Sequence, residues 1–485
     1  MENLLFEKIY SKWKEKQLRF QKNRKGRYIH FDYRIDFDKR VSWFLKYFNN
    51  AKENIAKHAF YPFIKSDIET PRVKFLLTGD GKKKKPVITS KIRPIAYASH
   101  FDSLVYSWYS DVLTNHYQSK LEDWGIQDCV LAYLKKNNQC NIHYASEVFD
   151  FIKSKTISED ECVALAFDLS SFFDNLDHDL LKRNWCKVLN AEKLPSDHYK
   201  IYKSLTDYTF IQKNYLDIRF PSPLDKHLRN RRICTPFQFR EMVEGTQVIE
   251  KNPFTNCIKD SKKFGRKCGI PQGSPLSSCL SNIYMIDFDK LINSFAVKKK
   301  GLYRRYCDDL IVVCSKQDAF FFENLIARTV KKFEVCINSA KTEKIFFKYS
   351  ADKIFSSNAK NQHKTLQYLG FEFDGNNVYI RSSSMSRYYR RMSSKTYQAV
   401  NDAYDSEFTQ GNRVFRKALY EKFTCIGKRN FVKYGLNAQQ IMKNSKSIKK
   451  QIKNSPQKLE KILSQAKQKK ESSLKNNNQK VKHMN

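Results

Sequence analysis

The spacing of apolar positions changes several times along the chain, and each change marks an element. Over the first sixty residues Trp13, Leu18 and Phe20, then Trp43, Phe44, Tyr47 and Phe48, recur at helical spacing among basic residues, which predicts a helical N-terminal extension. At Arg72-Val73-Lys74-Phe75-Leu76-Leu77 the pattern alternates. Thr78-Gly79-Asp80-Gly81 reads as a turn, and Pro86-Val87-Ile88 to Ile92-Arg93-Pro94-Ile95 as the return strand of a hairpin with Lys82 to Lys85 at its tip. Residues 101–152 read as mostly helical. Cys162-Val163-Ala164-Leu165-Ala166-Phe167 is a short apolar run, expected as a buried strand ending at Asp168, with a helix from about Asp177. Residues 213–267 are polar, aromatic and irregular. A single helix is expected after Pro275 toward Leu291, a hairpin from Leu302 to Cys314, and a helix from Asp318 to Phe333. A pair of short strands is expected from Tyr368 to Ile380 with Gly375-Asn376 near the turn, and basic helices over 385–440. From Ile441 onward Lys, Asn, Gln and Ser dominate, thirteen Lys facing only Glu460 and Glu471; this tail reads as an exposed helix or as a segment without fixed structure.

Charge narrows the class of partner. Lys and Arg total 89 against 50 Asp and Glu, a formal net charge of +39. So basic a chain is expected to meet a polyanion, nucleic acid first. The charge runs the length of the chain rather than collecting on one amphipathic helix, which speaks against an anionic membrane surface. Apolar residues make up 41% of the 485, enough for real cores in several domains. No apolar stretch approaches the roughly 18 residues of a membrane span, and the interrupted start Met1-Glu2-Asn3-Leu4-Leu5-Phe6-Glu7-Lys8 does not read as a signal peptide. The 12 cysteines are scattered, with none at CxxC spacing. That argues against a zinc ribbon or a CxxC redox centre, and reduced, structural cysteines in a cytoplasm are the simple reading.

Three segments carry candidate chemistry. Ala166-Phe167-Asp168-Leu169-Ser170-Ser171-Phe172-Phe173-Asp174-Asn175, taken alone, is a strand running into a capped turn. Tyr306-Cys307-Asp308-Asp309 lies inside an apolar hairpin, where two adjacent acids are costly unless their charge is offset; a divalent cation would offset it. Successive strand side chains point to opposite faces, so one of Asp308 and Asp309 is expected beside Asp168 and the other at the edge. Gly269-Ile270-Pro271-Gln272-Gly273-Ser274-Pro275-Leu276-Ser277 is a rigid turn opening a helix, at which a second backbone or a base can come close.

Together these segments resemble the palm of reverse transcriptases, in particular the bacterial enzymes related to group II intron, retron and defence-associated types, over about residues 70 to 380. Asp168 with Phe172-Phe173-Asp174-Asn175 is similar to the first palm motif, the Gly269 to Ser277 segment to the second, and Tyr306-Cys307-Asp308-Asp309 to the third. Asn338-Ser339-Ala340-Lys341-Thr342 is similar to the fourth, and Leu369-Gly370-Phe371 to the primer grip. No maturase segment or nuclease ligand spacing is read beyond residue 385. Gly427-Lys428-Arg429-Asn430-Phe431 stands where retron enzymes carry Val-Thr-Gly. The resemblance is therefore greatest to stand-alone defence-associated enzymes of the abortive-infection type.

The resemblance implies an α+β right-hand polymerase with a ferredoxin-like palm, fingers and a helical thumb. It divides the chain into an N-terminal helical extension (1–69), fingers and palm (70–380), thumb (381–440) and a basic tail (441–485). It implies an RNA-directed DNA polymerase that uses two Mg²⁺ ions to add deoxynucleotides to a primer 3′-hydroxyl or a protein hydroxyl, with a partner non-coding RNA in phage defence. Asp168 and Asp308 would hold both ions with the Leu169 carbonyl, and Asp309 would assist. Phe173 would exclude a 2′-hydroxyl, Gln272 would meet the templating pair, and Lys91 and Arg93 would grip the triphosphate. Lys341 would neutralise the leaving group or donate a proton. The implied partners are RNA, as template or structured non-coding RNA, the DNA product and deoxynucleoside triphosphates; an oligomer is left open. A template-independent terminal transferase, or a retired polymerase serving as an RNA-binding scaffold, fits the same residues.

Overall fold

The computed structural model describes residues 2–23, 28–77, 84–134, 139–221, 232–245, 247–252, 267–405, 413–443 and 445–482. The expected N-terminal helices are α1 (Glu2–Asn23), α2 (Val41–Asn49) and α3 (Ala51–Ala56), but they are part of the main core rather than an appendage. Trp13 is fully buried among Phe37, Phe44, Phe48 and Trp108, and its indole N–H donates to Ser107 Oγ at 3.2 Å.

The expected hairpin is a long antiparallel ribbon of β1 (Phe63–Leu77) and β2 (Lys84–Tyr97). It begins ahead of residue 70. Pro71 is tolerated inside it because β1 pairs with a further strand only over Phe63–Lys65, leaving an open edge beyond. The expected turn over 78–81, and Lys82 and Lys83 of the expected tip, lie outside the described residues; Lys84 and Lys85 begin β2, opposite Leu77 and Leu76. α4 (His100–Asp123) is capped by Ser99 Oγ, and the Asp32 carboxylate accepts from His100 and Phe101 N–H. α5 (Asn141–Glu159), β3 (Glu161–Ser170), α6 (His178–Val188) and α7 (Ser196–Thr206) follow; the Asp177 side chain caps α6 at the expected place.

Within the stretch read as irregular stand β4 (Thr209–Gln212), α8 (Lys213–Arg219), α9 (Pro236–Gly245) and β5 (Glu250–Lys251). Here β4 joins β1 in parallel, giving the strand order β2-β1-β4-β5. The helix expected after Pro275 is two helices, α10 (Ser277–Tyr284) and α11 (Ile286–Lys298). They break at buried Met285, whose N–H turns back to the Asn282 carbonyl.

β6 (Leu302–Tyr306) and β7 (Asp309–Ser315) form the expected hairpin, followed by α12 (Ala319–Lys332), β8 (Cys336–Ile337), β9 (Glu343–Ser350) and β10 (Lys353–Ser357). The sheet runs β10-β9-β3-β7-β6, with β8 beside the end of β3. Val163 and Leu165 of β3 enter one core, with α4, α6, α10 and α11; Cys162 and Ala164 enter the other, with α5 and the C-terminal elements. Cover on both faces is why this strand reads as a continuous apolar run.

Beyond the sheet the expected strand pair is three strands, β11 (Leu366–Tyr368), β12 (Phe371–Phe373) and β13 (Val378–Ile380). Gly375 serves the second turn with φ +98°. The first turn uses Leu369 at φ +45° before Gly370, and a leucine gives no turn signal.

α13 (Ser382–Asp405), α14 (Arg416–Phe423), α15 (Phe431–Ile441), α16 (Lys446–Ile452) and α17 (Ser455–Lys482) complete the fold. The tail is thus helical and docked. Leu459, Leu463 and Ala466 are buried, the Lys458 ammonium lies 3.9 Å from the centre of the Tyr389 ring on α13, and Lys470 pairs with Asp405. Glu460 accepts from Arg416 and Tyr420, and Glu471 from Tyr404. Both acids of the tail are engaged by its neighbours, so the charge that its outer side presents comes from lysines such as Lys461, Lys469 and Lys475, set among Gln and Ser. No described helix is long and apolar enough to cross a membrane.

Candidate active site

Asp168 is placed by the end of β3. Past Leu165 the even positions Ala166, Asp168 and Ser170 are half-buried while Phe167 and Leu169 stay buried. The β3–β7 register sets Asp309 directly opposite Asp168, and opposed residues of an antiparallel pair share a face. Asp308 is not a strand residue. It follows Cys307, whose φ of +58° turns the chain between β6 and β7, and its carbonyl accepts from Leu169 N–H at 3.0 Å. Strand alternation therefore does not apply to it. The register places Asp309 beside Asp168 as one of the two acids was expected to be, while Asp308 sits in the turn next to it, and the charge of Asp168 reaches both.

Burial pushes the Asp308 carboxyl up, and the charge of Asp168 adds to this. Asp309 is pushed up to about 6 by burial first, then by Asp308 and Asp168, with Lys341 and Arg381 opposing. A carboxyl raised in the folded chain holds its proton longer there than in the unfolded chain. Its ionisation therefore costs stability as pH rises from about 4 to about 6, and the full cost stands above that window. Asp309→Asn is expected to raise the stability of the metal-free chain at pH 8 by up to about 3 kcal/mol and to change it little at pH 4. Urea midpoints at the two pH values check this; equal shifts at both would contradict the electrostatic account.

Lys341 sits on the Asp168 carboxylate, with Nζ 2.7 and 2.5 Å from its two oxygens. The turn carrying it is pinned by Asn338, whose backbone N–H donates to the Asp168 carbonyl at 2.7 Å and whose Nδ2 reaches the carboxylate at 3.4 Å. Among the described residues no three His, Cys, Asp or Glu side chains form a ready-made metal cage. The donors are nonetheless of the right kind for a hard divalent cation: mutually repelling carboxylates, one of them already neutralised by an ammonium.

The glycine-rich turn ties the other expected residues together. The Ala96 N–H of β2 donates to the Gln272 carbonyl at 2.8 Å. Gly273 has φ +129°, and a Cβ there would lie 2.6 Å from the Ala96 carbonyl oxygen, so the close backbone approach expected of this turn is present. Ile270 N–H donates to the Phe173 carbonyl at 3.0 Å. Half-buried Phe173 stands in a one-turn 3-10 helix after β3, and half-buried Lys91 and Arg93, two apart on β2, share one face of the ribbon. Asp168, Leu169, Asp308, Asp309 and Lys341 thus form one cluster. Phe173 follows Asp168 by five residues and is tied through its carbonyl to the glycine turn at Ile270, and Lys91 and Arg93 stand on the strand whose Ala96 bonds the Gln272 carbonyl of that turn.

Sequence reasoning passed over the residue beneath the acidic turn. Arg305 is fully buried. It donates through Nε and Nη2 to Asp289 at 2.8 and 2.6 Å, and through Nη1 to Asn282 Oδ1 and to the Cys307 carbonyl, both at 3.1 Å. Asn282 in turn donates to the Ala132 carbonyl, and the Tyr133 hydroxyl meets Cys307 Sγ at 3.5 Å. The positive-φ residue before Asp308 is held from below by α10 and α11 and from the side by the loop after α4.

The profile of the family described as "Reverse transcriptase (RNA-dependent DNA polymerase)" matches residues 82–373, more than half of the chain. A search of curated proteins finds no match. Among solved structures, the apo telomerase of Candida tropicalis is 13% identical at a TM-score of 0.42, covering 87% of this chain and 69% of its own. The same enzyme truncated from its C-terminal domain is 13% identical at a TM-score of 0.40, covering 70% of this chain, which spans 60% of that one. The Candida albicans telomerase in complex with a fragment of telomeric RNA is 13% identical at a TM-score of 0.38, covering 87% of this chain and 65% of its own.

Proposed function

The chain belongs to the reverse transcriptase family, and from that premise we propose that it is an RNA-directed DNA polymerase extending a hydroxyl primer with deoxynucleotides at the Asp168–Asp308–Asp309 cluster. The observation that carries this is the convergence of those acids, with Lys341, where the end of β3 meets the turn between β6 and β7. The carboxylates of Asp168, Asp308 and Asp309, with the Leu169 carbonyl, would hold divalent cations, which we take to be Mg²⁺. Bound there, such ions would supply Lewis-acid stabilisation of the phosphoryl oxygens and lower the pKa of the attacking hydroxyl. Lys341 would then leave Asp168 and turn its ammonium to the triphosphate. Arg93 and Lys91 would meet phosphate oxygens from the ribbon, where a planar guanidinium binds two oxygens at once.

We assign residues 70–380, with the earlier part of β1, to fingers and palm, and α13 to α17 to the thumb. The experiment that tests the reading is extension of a primed RNA homopolymer with each deoxynucleotide offered singly. Incorporation of the complementary nucleotide alone supports it; equal use of all four would point to untemplated terminal transfer. In the same assay Phe173→Ala is expected to admit ribonucleotides, because the ring stands in the first turn after Asp168. Unchanged sugar preference would place the gate elsewhere.

The lysine side of α16 and α17 would bind RNA backbone without sequence preference. Replacing exposed Lys453, Lys461 and Lys475 with Gln keeps the docked face of these helices intact. It is expected to make the log–log salt dependence of RNA binding shallower by about 0.7 for each phosphate that a lysine no longer neutralises; an unchanged slope assigns RNA binding to the fingers. The resemblance to stand-alone defence enzymes supports a further proposal, synthesis with a partner RNA during phage infection, checked by plaque counts on cells carrying the wild-type or the Asp308→Asn chain.

A further inference from the structure

A cavity of about 540 Å³ lies between α1, the segment 28–37, the start of α4 and Pro275. Its walls are fixed from behind. Gln17 Nε2 donates to Ser107 Oγ at 2.8 Å, next to the buried Trp13 indole, and the Gln21 amide bonds the Asp36 carboxylate and accepts from Asp38 N–H. Two rings on its lining stay exposed, Phe20 at 45% and Tyr28 at 37%. Tyr28 stacks on His100 at 4.7 Å between centroids and meets Tyr97 edge-on at 5.0 Å. Arg34 brings a guanidinium to the lining, along with Lys16, whose ammonium pairs with Asp111 at 2.8 Å, and the Asp36 carboxylate. Open ring faces, a guanidinium and fixed amides and hydroxyls are the chemistry that holds an unpaired nucleobase and its phosphate, and the volume suits one or two nucleotides rather than a duplex.

The position of the cavity says which base. Tyr97, against which Tyr28 packs, follows Ala96, the residue hydrogen-bonded to Gln272, and Pro275 of the same turn forms part of the cavity wall. We infer that the cavity receives an unpaired base of the RNA strand just ahead of the templating position, stacked on Phe20 and Tyr28. This rests on the reading above that Gln272 meets the templating pair. A base seated there holds the incoming strand single and in line with the Gln272 turn, and gives the N-terminal helix a role that packing alone does not require.

The experiment uses primed RNA templates carrying 4-thiouridine at the templating position or at each of the next four unpaired positions. The full chain is irradiated and crosslinked residues are mapped by mass spectrometry. The expected result is crosslinking to the Gly269–Ser277 segment from the templating position, and to Phe20 or Tyr28 from one or two of the overhang positions. The double variant Phe20→Ala/Tyr28→Ala is expected to reduce the ratio of affinities for overhanging over blunt-ended template by roughly tenfold or more. A competition arm with adenosine triphosphate distinguishes a free nucleotide as the occupant: protection of Tyr28 by millimolar nucleotide, with no overhang crosslink, overturns the proposal. So does crosslinking at the templating position with none at Phe20 or Tyr28, or an equal loss of affinity for both templates. Absence of crosslinks at the templating position as well would overturn the reading of Gln272, and this proposal with it.

Discussion

Asp308→Asn is expected to cut deoxynucleotide incorporation by roughly 10³-fold or more, a barrier increase of about 4 kcal/mol, while the chain stays folded. The substitution keeps the volume and the backbone bond from Leu169 N–H to the residue 308 carbonyl. It removes only the charge. Because burial and Asp168 raise the Asp308 carboxyl, ionised Asp308 costs the metal-free protein stability at neutral pH, and the amide relieves that cost. Activity and stability should therefore move in opposite directions, a pairing seen where a site is kept charged for function rather than for folding. Primer extension and thermal unfolding on the same preparation give both readouts. Near-normal incorporation would remove Asp308 from the site. Lost activity accompanied by a lower unfolding temperature would mean that Asp308 is structural.

The strands carrying the acids were legible because each is a short apolar run closed by a polar break, and burial on both sides of β3 permits nothing else. The glycine turn was legible in part. Its sequence implied a close approach without naming the partner, and only the fold brings Ala96 to Gly273. Which of Asp308 and Asp309 stands opposite Asp168 was not legible for a local reason: the chain turns at Cys307 in a left-handed conformation that a cysteine does not announce. The tail is a helix, one of its two expected forms, but its docking was not legible, because the three apolar side chains buried in it, Leu459, Leu463 and Ala466, are spaced among lysines that hid the pattern. In Leu302-Tyr303-Arg304-Arg305-Tyr306 the signal was present. Alternation in a half-buried strand must put one of two adjacent arginines inside, and the observed burial does so: Arg304 turns out to Glu147, Arg305 in to Asp289.

That inward arginine is the second place where a large effect is expected. Arg305→Met alone should destabilise the fold by about 3–5 kcal/mol, and Asp289→Leu alone by a similar amount, because each leaves the other charge buried without its partner. Both side chains are fully buried, unlike exposed pairs such as Lys203–Asp207, whose loss is expected to cost no more than about 1 kcal/mol. The Arg305→Met/Asp289→Leu double variant should regain much of the stability, since apolar side chains of similar volume replace a pair that was costly to desolvate. It should not regain activity. Arg305 Nη1 also donates to the Cys307 carbonyl and to Asn282, and a methionine donates to neither, so the turn before Asp308 loses its support from below even when the charges balance. Urea unfolding of the two single variants and the double gives the coupling energy, and primer extension by the double variant separates the two roles. Full activity in a restored double variant would show that the acidic turn holds itself, and would confine Arg305 to neutralising Asp289.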